Sequence, residues 1–336
     1  MDTGVAKKPI TDWAAYIEEL KERLGFSKEI IRVMINKAQQ NPKKVVYPEG
    51  EEEKIIRAAH AVYEEKIAKP ILIGNENVIK QKAESMGIDI KEFTICSIPT
   101  CENYEKYVKD FYEARKRKGI TLKLAREIIT QPNYYGSMMV NAGVADTLIS
   151  GLTTHYPNTI KPALQCIGVK EGFNVVSGLY IVITKRNVYF FADTTVNVNP
   201  TAEELVEIAI STAETVKRFD VEPKIAMLSF SNFGSAPYPE SIKVRKAVDM
   251  LKKLRPDLNV DGEMQADTAV VPQIIEQDFP FSDIKGGANV LIFPDLGSGN
   301  IAYKLMARIG EASVIGPILM GMKKPVHVLQ RGATVE

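Results

Sequence analysis

The sequence predicts an α/β fold whose sheet is mostly parallel. From Lys43 onward, short apolar runs rich in β-branched residues alternate with longer segments whose apolar residues recur at helical spacing. This alternation is typical of βαβ units, and βαβ units build parallel sheets. The chain has 336 residues, of which 45% are hydrophobic, so it can bury a sizeable core as two domains or as one large α/β unit.

The predicted elements follow one another in a regular order. The first strands are KKVVYP, PILIG and FTICSI, separated by helices over residues 51–65 and 76–86. Helices over residues 104–118, 121–130 and 134–142 then lead to the strand TLIS and to a helix from about residue 158. The strands SGLYIVIT and VYFFAD, a helix over residues 202–219 and the strand IAMLSF continue the alternation. A further helix is predicted from about Pro239.

Residues 1–40 differ from the rest of the chain. Asp12 can cap a helix, and a second short helix is expected after Ser27. The apolar residues of the first helix fall at helical spacing, and they are Trp13, Tyr16, Ile17, Leu20 and Leu24. This stripe indicates packing inside the protein or an interface with a partner, and we interpret residues 1–40 as a helical connector.

The charge and cysteine content exclude several classes of function. With 43 basic and 42 acidic residues the formal net charge is +1, so no overall field favours nucleic acid or a membrane surface. No signal-like apolar segment begins the chain, and no window approaches ~18 uninterrupted apolar residues, which predicts a cytoplasmic protein. Three cysteines without CxxC spacing, Cys96, Cys101 and Cys166, and three histidines predict neither a disulfide framework nor a metal site.

Ligand-binding residues are expected in loops that directly follow strands, because parallel sheets bind ligands beyond the carboxyl ends of their strands. Five loops meet this condition, at residues 48–53, 150–158, 192–201, 229–235 and 294–300. No Walker loop or GxGxxG motif occurs, so nucleotide hydrolysis and dinucleotide binding are disfavoured. His155 and His327 have no GxSxG partner, and a structural or solvent-facing role is expected for each.

The loop SFSNFGS offers short polar side chains and backbone N–H groups ahead of a helix. Such groups suit an anion or an acyl phosphate, and an ordinary turn with helix caps is the alternative. The residues of this candidate anion loop are Ser229, Ser231, Asn232, Gly234 and Ser235.

A second candidate binding surface lies on the helix after PDLGSGN. Lys304 and Arg308 are four residues apart and therefore project from one face of that helix. There they can hold the phosphates of a nucleotide-like ligand or simply face solvent. A basic run at residues 115–118 ends an earlier helix, where cations favour the negative end of the helix dipole.

The chain resembles the phosphotransacetylase family over nearly all of residues 43–336. The motifs that carry the resemblance are VVYPEGEEEKIIRAA, ILIGN, FYEARKRKGIT, SGLTTHYPNTIKPALQ, SFSNFGSA, VDGEMQADTAVVP, IFPDLGSGNIAYKL and GPILMGMKKPVHVLQRG. The resemblance implies two three-layer α/β domains with mostly parallel sheets and the active cleft between them. Residues 41–172 and 319–336 form the first domain, truncated at its C-terminal end, and residues 173–318 form the second. Homodimers or higher homo-oligomers are expected.

In the reaction that the resemblance implies, the thiol of coenzyme A (CoA) loses its proton to an aspartate and attacks the carbonyl of acetyl phosphate. Arginines neutralise the phosphate, and neither a metal nor a covalently bound cofactor is required. The catalytic aspartate is expected just beyond Glu336. The residues matched to the phosphate and acyl site are Arg331, Arg115, Gln330, Lys161, Ser150 and Gly151, and those matched to CoA are Lys304, Arg308, Arg331 and Asn300.

Three residues depart from the family pattern. Gln330 replaces a serine, Lys161 replaces an arginine and lacks its planar bidentate fork, and Phe233 replaces a lysine. These departures fit a narrower group better, the C-terminal phosphotransacetylase-like domain of large bacterial NADP-dependent malic enzymes, which the chain resembles in SNFGS, DGEMQAD and KPVHVL. The prefix GVAKKPITDWAAYIEEL is similar to the junction that follows their malic domain.

From this narrower resemblance we expect a regulatory and oligomerisation domain that binds acetyl-CoA and has little transferase activity. The malic domain, absent from this chain, is then its partner and holds NADP and a divalent metal for the oxidative decarboxylation of malate to pyruvate. The alternative is an active phosphate acetyltransferase that uses CoA, phosphate and acetyl phosphate, supported by Arg115 and Arg331. A third interpretation is an oligomerisation module that binds no ligand.

Overall fold

A single sheet of eleven strands runs through the computed structural model, which describes residues 26–98 and 100–335. The helix predicted after Asp12 lies outside the described residues. The strands are β1 (Lys43–Tyr47), β2 (Ala68–Ile73), β3 (Thr94–Cys96), β4 (Thr147–Ser150), β5 (Ser177–Ile183), β6 (Val188–Ala192), β7 (Lys224–Leu228), β8 (Asn259–Met264), β9 (Val290–Ile292), β10 (Ser313–Met320) and β11 (Val326–Val328).

Helices connect most of these strands, as the alternating pattern predicts. They are α1 (Phe26–Gln40), α2 (Glu53–Glu64), α3 (Glu76–Ser85), α4 (Tyr104–Arg115), α5 (Leu122–Ile129), α6 (Pro132–Ala142), α7 (Tyr156–Cys166), α8 (Ala202–Lys217), α9 (Pro239–Leu254), α10 (Ala266–Val270), α11 (Pro272–Asp278) and α12 (Leu296–Arg308). The helix predicted over residues 104–118 ends with a 3₁₀ turn over Lys116–Lys118, which Gly119 closes at φ 83°.

The strand order explains how two parallel regions become one sheet. The order is β3-β2-β1-β4-β11-β10-β5-β6-β9-β7-β8. The strands from β3 to β11 pair in parallel, and so do those from β6 to β8. Antiparallel pairing of β11 with β10, β10 with β5 and β5 with β6 joins the two halves. The predicted α/β fold with a mostly parallel sheet is confirmed, and the domain boundaries remain a prediction.

Helices cover both faces of the sheet, which gives each half three layers. On β5, Leu179, Ile181 and Ile183 pack in a buried cluster with α8 and α9. Tyr180 and Val182 point to the opposite face and pack in a second cluster with α10, α11 and α12. Two further clusters cover the faces of the first half. The alternation along β5 follows from the two-residue period of a strand.

Cys96 and Cys101 form a disulfide bond, so the expectation that no disulfide would form is wrong for this pair. The chain turns back immediately after β3, where the Thr100 N–H donates to the Ser97 carbonyl at 3.0 Å. The turn brings the two Cα atoms to 6.0 Å, a separation that a disulfide spans. The remaining cysteine, Cys166, is free. Among the described residues, no helix combines the length and apolarity needed to cross a bilayer.

Candidate functional site

A cleft of about 420 Å³ lies where the loops that follow β4, β6 and β11 meet α12. Larger hollows occur beside α3, at about 760 Å³, and along β10 and β11, at about 700 Å³. Size alone therefore does not select the site. We select the cleft because it lies beyond the carboxyl ends of parallel strands and because polar groups from both halves of the sheet converge there.

Five of the residues predicted from the sequence line this cleft, and they are Gly151, Asn300, Lys304, Gln330 and Arg331. The cleft also contains residues that the sequence analysis did not single out as ligand contacts, among them Thr154, His155, Tyr156, Tyr180, Thr195 and Tyr303. The other predicted residues lie elsewhere. They are Ser150, Lys161, Arg115 and Arg308, together with the anion loop.

The Glu49 carboxylate fixes the loop that follows β4. Glu49 comes directly after β1, and its carboxylate accepts hydrogen bonds from the backbone N–H groups of Gly151 (2.8 Å), Leu152 (2.9 Å), Thr153 (2.8 Å) and Thr154 (3.2 Å). The Thr153 hydroxyl donates a further bond at 2.6 Å. Burial acts to raise the pKa of Glu49, but these donors outweigh burial and lower the pKa. The carboxylate therefore remains charged and holds the loop in one shape.

Ser150 begins this loop and is not among the residues that line the cleft. Its side chain is fully buried, and its hydroxyl donates to the Asn133 side-chain oxygen at 2.8 Å. The next residue, Gly151, has φ +117°, and a Cβ there would lie 2.9 Å from the Leu329 carbonyl oxygen. Only glycine fits this close approach of the loop to the end of β11. The assignment of Ser150 to the phosphate and acyl site stays a prediction.

A second buried carboxylate fixes the loop that follows β6. Asp193 is 2% exposed and accepts hydrogen bonds from the N–H groups of Gly178 and Thr195, both at 2.9 Å. The Asn300 amide nitrogen on α12 donates to the carbonyl of Thr194 at 3.2 Å. The loop and α12 are thereby tied together along one wall of the cleft.

The helix α12 brings one of its two predicted cations into the cleft. Asp295 caps the helix by accepting from the Ser298 N–H at 2.8 Å. Lys304 lines the cleft, with its ammonium group 5.9 Å from the centre of the Tyr303 ring. Arg308 lies one turn further along, exposed in the last turn of the helix and outside the lining of the cleft.

Arg331 meets His155 across the mouth of the cleft. The guanidinium Nη2 lies 3.2 Å from His155 Nε2. An arginine only donates hydrogen bonds, so Nε2 accepts and we assign the ring proton to Nδ1. His155 is exposed, as predicted, but its imidazole belongs to the cleft. The other histidine, His327, lies on β11, where burial lowers its pKa to about 4.

Gln330 connects two tyrosines at the floor of the cleft. Its amide nitrogen donates to the hydroxyls of Tyr180 and Tyr303. Burial raises the pKa of Tyr180, so its phenol stays neutral. Tyr180 was missed by the sequence analysis because it lies within an apolar strand, where an aromatic residue is typical of core packing.

Two buried hydroxyls also border the cleft. Among the described residues, neither Tyr156 Oη nor Thr195 Oγ1 has a partner in hydrogen-bonding geometry. Burial raises the pKa of Tyr156, and the nearby Thr195 hydroxyl partly offsets that effect. Buried polar atoms are normally satisfied, so these two hydroxyls are available to a polar group of a ligand.

Arg115 and Lys161 lie outside the lining of the cleft. Arg115 is half-buried at the end of α4, and its Nε has no acceptor within the described part of the chain. Burial raises the pKa of Cys166 to about 12, and the positive charge of Arg115 acts against that rise. Lys161 is exposed on α7. Neither predicted phosphate ligand lines the cleft with Arg331, and their roles stay predictions.

The predicted anion loop binds a carboxylate of the protein itself. Glu263 is fully buried and accepts from the Ser231 hydroxyl at 2.9 Å and from the Gly234 N–H at 2.7 Å. Arg245 completes the arrangement with bonds of 3.0 and 2.9 Å to the same carboxylate. The Ser235 hydroxyl accepts from the Asn232 N–H at 3.0 Å. The protein thus already supplies an acceptor for two donors of this loop, and a ligand-binding role for the loop stays a prediction.

Phe233, which stands where the family has a lysine, belongs to an aromatic cluster near this loop. Its ring centre lies 5.1 Å from that of Phe279 and 4.9 Å from that of Phe281. It packs against the core cluster beneath α10, α11 and α12. Phe233 therefore contributes to packing in this structure.

Replacing Arg245 with methionine will test the buried carboxylate of the anion loop. We expect Arg245→Met to lower the free energy of unfolding by about 3 kcal/mol at pH 7, because Glu263 loses its cationic partner inside the protein. Lys246→Met is the matched control, since the Lys246–Glu203 pair is more than half exposed on both sides and exposed pairs contribute little to stability. Urea unfolding measures both variants. Equal losses would contradict the role of Glu263.

Replacing Glu49 with glutamine will test the loop that follows β4. We expect Glu49→Gln to destabilise the protein by about 2 kcal/mol at pH 7, since a charged acceptor of several N–H groups is lost. Because folding lowers the pKa of Glu49, its contribution is full above the unfolded value near ~4.3 and is lost as the pH falls through the folded value. The difference from wild type, measured by urea unfolding, should shrink from pH 7 to pH 4.

The exposed neighbour Glu52 provides the control for this substitution. Glu52 precedes α2 and makes no side-chain cap hydrogen bond, so Glu52→Gln should change stability by less than about 0.5 kcal/mol. A Glu49→Gln protein as stable as the Glu52→Gln protein would remove the proposed role of the carboxylate.

Comparison with known proteins identifies the family of the chain. The sequence profile described as phosphate acetyl/butaryl transferase matches residues 29–336. The phosphate acetyltransferase of Clostridium acetobutylicum is 41% identical over 306 residues, covering 89% of this chain and 92% of the relative. The NADP-dependent malic enzyme of Escherichia coli is 37% identical over 340 residues, covering 100% of this chain but 45% of the relative.

A solved structure gives the same result for the fold. The phosphotransacetylase of Streptococcus pyogenes superposes with a TM-score of 0.88 at 40% identity, covering 92% of this chain and 94% of that one. The sequence profile extends over the residues that form the cleft. From the profile, the relatives and the fold together, we conclude that the chain belongs to the phosphate acetyl/butaryl transferase family.

Proposed function

We propose that the cleft binds a CoA thioester and a phosphate-bearing partner and transfers an acetyl group between them. The observation that carries this proposal is the convergence of Arg331 from the first half of the sheet and Lys304 from the second on one cleft. Two cations separated by a polar and aromatic floor suit two anionic reactants whose reacting atoms meet between them. Phosphate acetyltransfer brings together two such reactants.

Arg331 provides the phosphate-binding group in this proposal. Its guanidinium fork matches phosphate oxygens in a bidentate manner, and His155 holds it at the mouth of the cleft. In the reaction, the sulfur of CoA forms a bond to the carbonyl carbon of acetyl phosphate, and the bond from that carbon to the bridging oxygen breaks. The electron pair leaves with phosphate, whose charge Arg331 neutralises.

The thiol of CoA must lose its proton for this attack. The family resemblance implies an aspartate as the acceptor. Within the described cleft, the imidazole of His155 has a ring nitrogen with a lone pair. Its Nε2 lone pair is directed at Arg331, and a phosphate that draws Arg331 toward itself would leave that lone pair free.

The nucleotide end of CoA is expected along α12. Asn300 and Lys304 line the cleft, and Arg308 continues the same helix one turn further from it. This spacing suits an extended ligand whose thioester lies inside the cleft and whose phosphates lie outside it. Arg308 therefore keeps its predicted role as a CoA contact outside the cleft itself.

The second candidate function is that of an acetyl-CoA-sensing domain of a malic enzyme. The observation in its favour is that the E. coli malic enzyme matches the whole chain, whereas the family profile begins only at residue 29. Gln330, Lys161 and Phe233 agree with it, since each departs from the family pattern. In this case acetyl-CoA binds as an effector, NADP and a divalent metal belong to a separate malic domain, and the chain assembles as a homodimer or higher homo-oligomer.

A turnover assay with acetyl-CoA and phosphate, following the release of free thiol, will separate the two candidates. We expect phosphate-dependent turnover that Arg331→Ala reduces by about 100-fold or more in kcat/KM, because a transition-state charge loses its counterion. Arg331→Lys should retain part of the activity, since it keeps the charge but not the fork. Arg186→Ala, in an exposed turn between β5 and β6, should match wild type.

The assay is paired with calorimetric titration of acetyl-CoA. Turnover by wild type that Arg331→Ala leaves unchanged would contradict the assigned role of Arg331. Binding of acetyl-CoA without any phosphate-dependent turnover would overturn the transferase proposal and favour the sensing domain.

A further inference from the structure

The floor of the cleft is a stacked pair of tyrosines. The rings of Tyr180 on β5 and Tyr303 on α12 lie 4.1 Å apart between centres with an interplanar angle of 16°. Tyr180 is 1% exposed and Tyr303 is 6% exposed. Both residues border the cleft, so only small parts of the two side chains are available to a ligand. The cleft therefore ends on two packed aromatic side chains.

Close packing opposes any displacement of the two tyrosine rings that would enlarge the cleft. The backbone of β10 passes so close behind Tyr180 that a Cβ at Gly316 would lie 2.8 Å from the ring. Tyr303 closes the other side of the ring by stacking. The Gln330 amide nitrogen donates to both hydroxyls, so displacing either ring breaks a hydrogen bond as well as close packing.

The floor and the proposed phosphate ligand line the same cleft. Gln330 directly precedes Arg331, and Tyr180 and Tyr303 line the cleft with them. In an acyl phosphate a single bridging oxygen separates phosphorus from the acyl carbon. An acyl phosphate whose phosphate contacts Arg331 therefore has its acyl group at the cleft that Gln330 and the tyrosine pair line.

We infer that Gln330, with Tyr180 and Tyr303, sets the length of the acyl chain and admits acetyl while excluding butyryl and longer groups. The inference rests on the proposed function, which supplies the ligand, and it assigns the substrate class within a family that includes both acetyl and butyryl transferases. Gln330 is exposed at the cleft that it lines, and a serine at this position would remove the amide and free both tyrosine hydroxyls. Longer acyl chains would then enter.

Calorimetric titration with CoA, acetyl-CoA, propionyl-CoA and butyryl-CoA tests the inference without requiring turnover. For wild type we expect butyryl-CoA to bind at least about tenfold more weakly than acetyl-CoA, the range by which a closed pocket rejects extra methylene groups. Gln330→Ser should reduce this ratio at least about fivefold, mainly by improving the binding of butyryl-CoA. Gln277→Ser, an exposed substitution on α11, should keep the wild-type ratio.

Tyr303→Phe provides a second variant that keeps the ring and removes one hydroxyl. We expect it to retain most of the discrimination, because the stacked ring still fills the floor. Equal wild-type affinities for acetyl-CoA and butyryl-CoA would overturn the inference while leaving the proposed function in place. An unchanged ratio in Gln330→Ser would overturn the role of Gln330. If wild type binds neither CoA nor any thioester, the proposed function fails and the inference fails with it.

Discussion

The site depends on the Glu49 carboxylate, which accepts hydrogen bonds from the consecutive N–H groups of residues 151–154. Loops after parallel strands carry backbone donors that need acceptors. Here one charged group from a neighbouring strand satisfies the whole turn, and it does so without a ligand. Gly151, Thr154 and His155 therefore reach the cleft in a fixed arrangement. The conformational entropy of this loop is lost during folding, so substrate binding does not have to offset that loss.

The same arrangement, a carboxylate that accepts hydrogen bonds from the backbone N–H groups of a loop, recurs at other strand ends of the sheet. Asp193 holds the loop that follows β6, and Glu263 holds the loop that follows β7. In each case a buried or half-buried carboxylate at or near the end of a strand accepts from backbone N–H groups, and these donors are satisfied inside the protein. The sites that remain for a ligand are accordingly those where no internal carboxylate is present. Around the cleft these are the Arg331 guanidinium, the Lys304 ammonium and the buried hydroxyls of Tyr156 and Thr195.

The sequence was most informative where a signal is local. Alternating strands and helices predict the fold class, and a cation just after a strand, as at Arg331, is visible without any structure. By contrast, the composition of SFSNFGS predicts an anion-binding loop but does not show whether the anion is a ligand or a side chain of the protein. Only the tertiary fold shows that the Glu263 carboxylate accepts hydrogen bonds from this loop. The sequence pattern places Tyr180 in the hydrophobic core. Strand periodicity does not show that this core residue also borders a cavity. The disulfide between Cys96 and Cys101 depends on a turn whose direction the cysteine spacing does not fix.

At one place in the junction between the two halves of the sheet, two neighbouring strands share only one residue pair. The strand β10 pairs with β5 through six residue pairs but with β11 through a single pair, Ile318 with His327. Arg331 follows β11 in the first half, whereas Lys304 lies on α12, which packs against the second half. The hydrogen bonds from Gln330 to Tyr180 and Tyr303 cross the same junction and supplement the single strand pair. A ligand that contacts both cations would add a further link between the two halves and would stabilise their association.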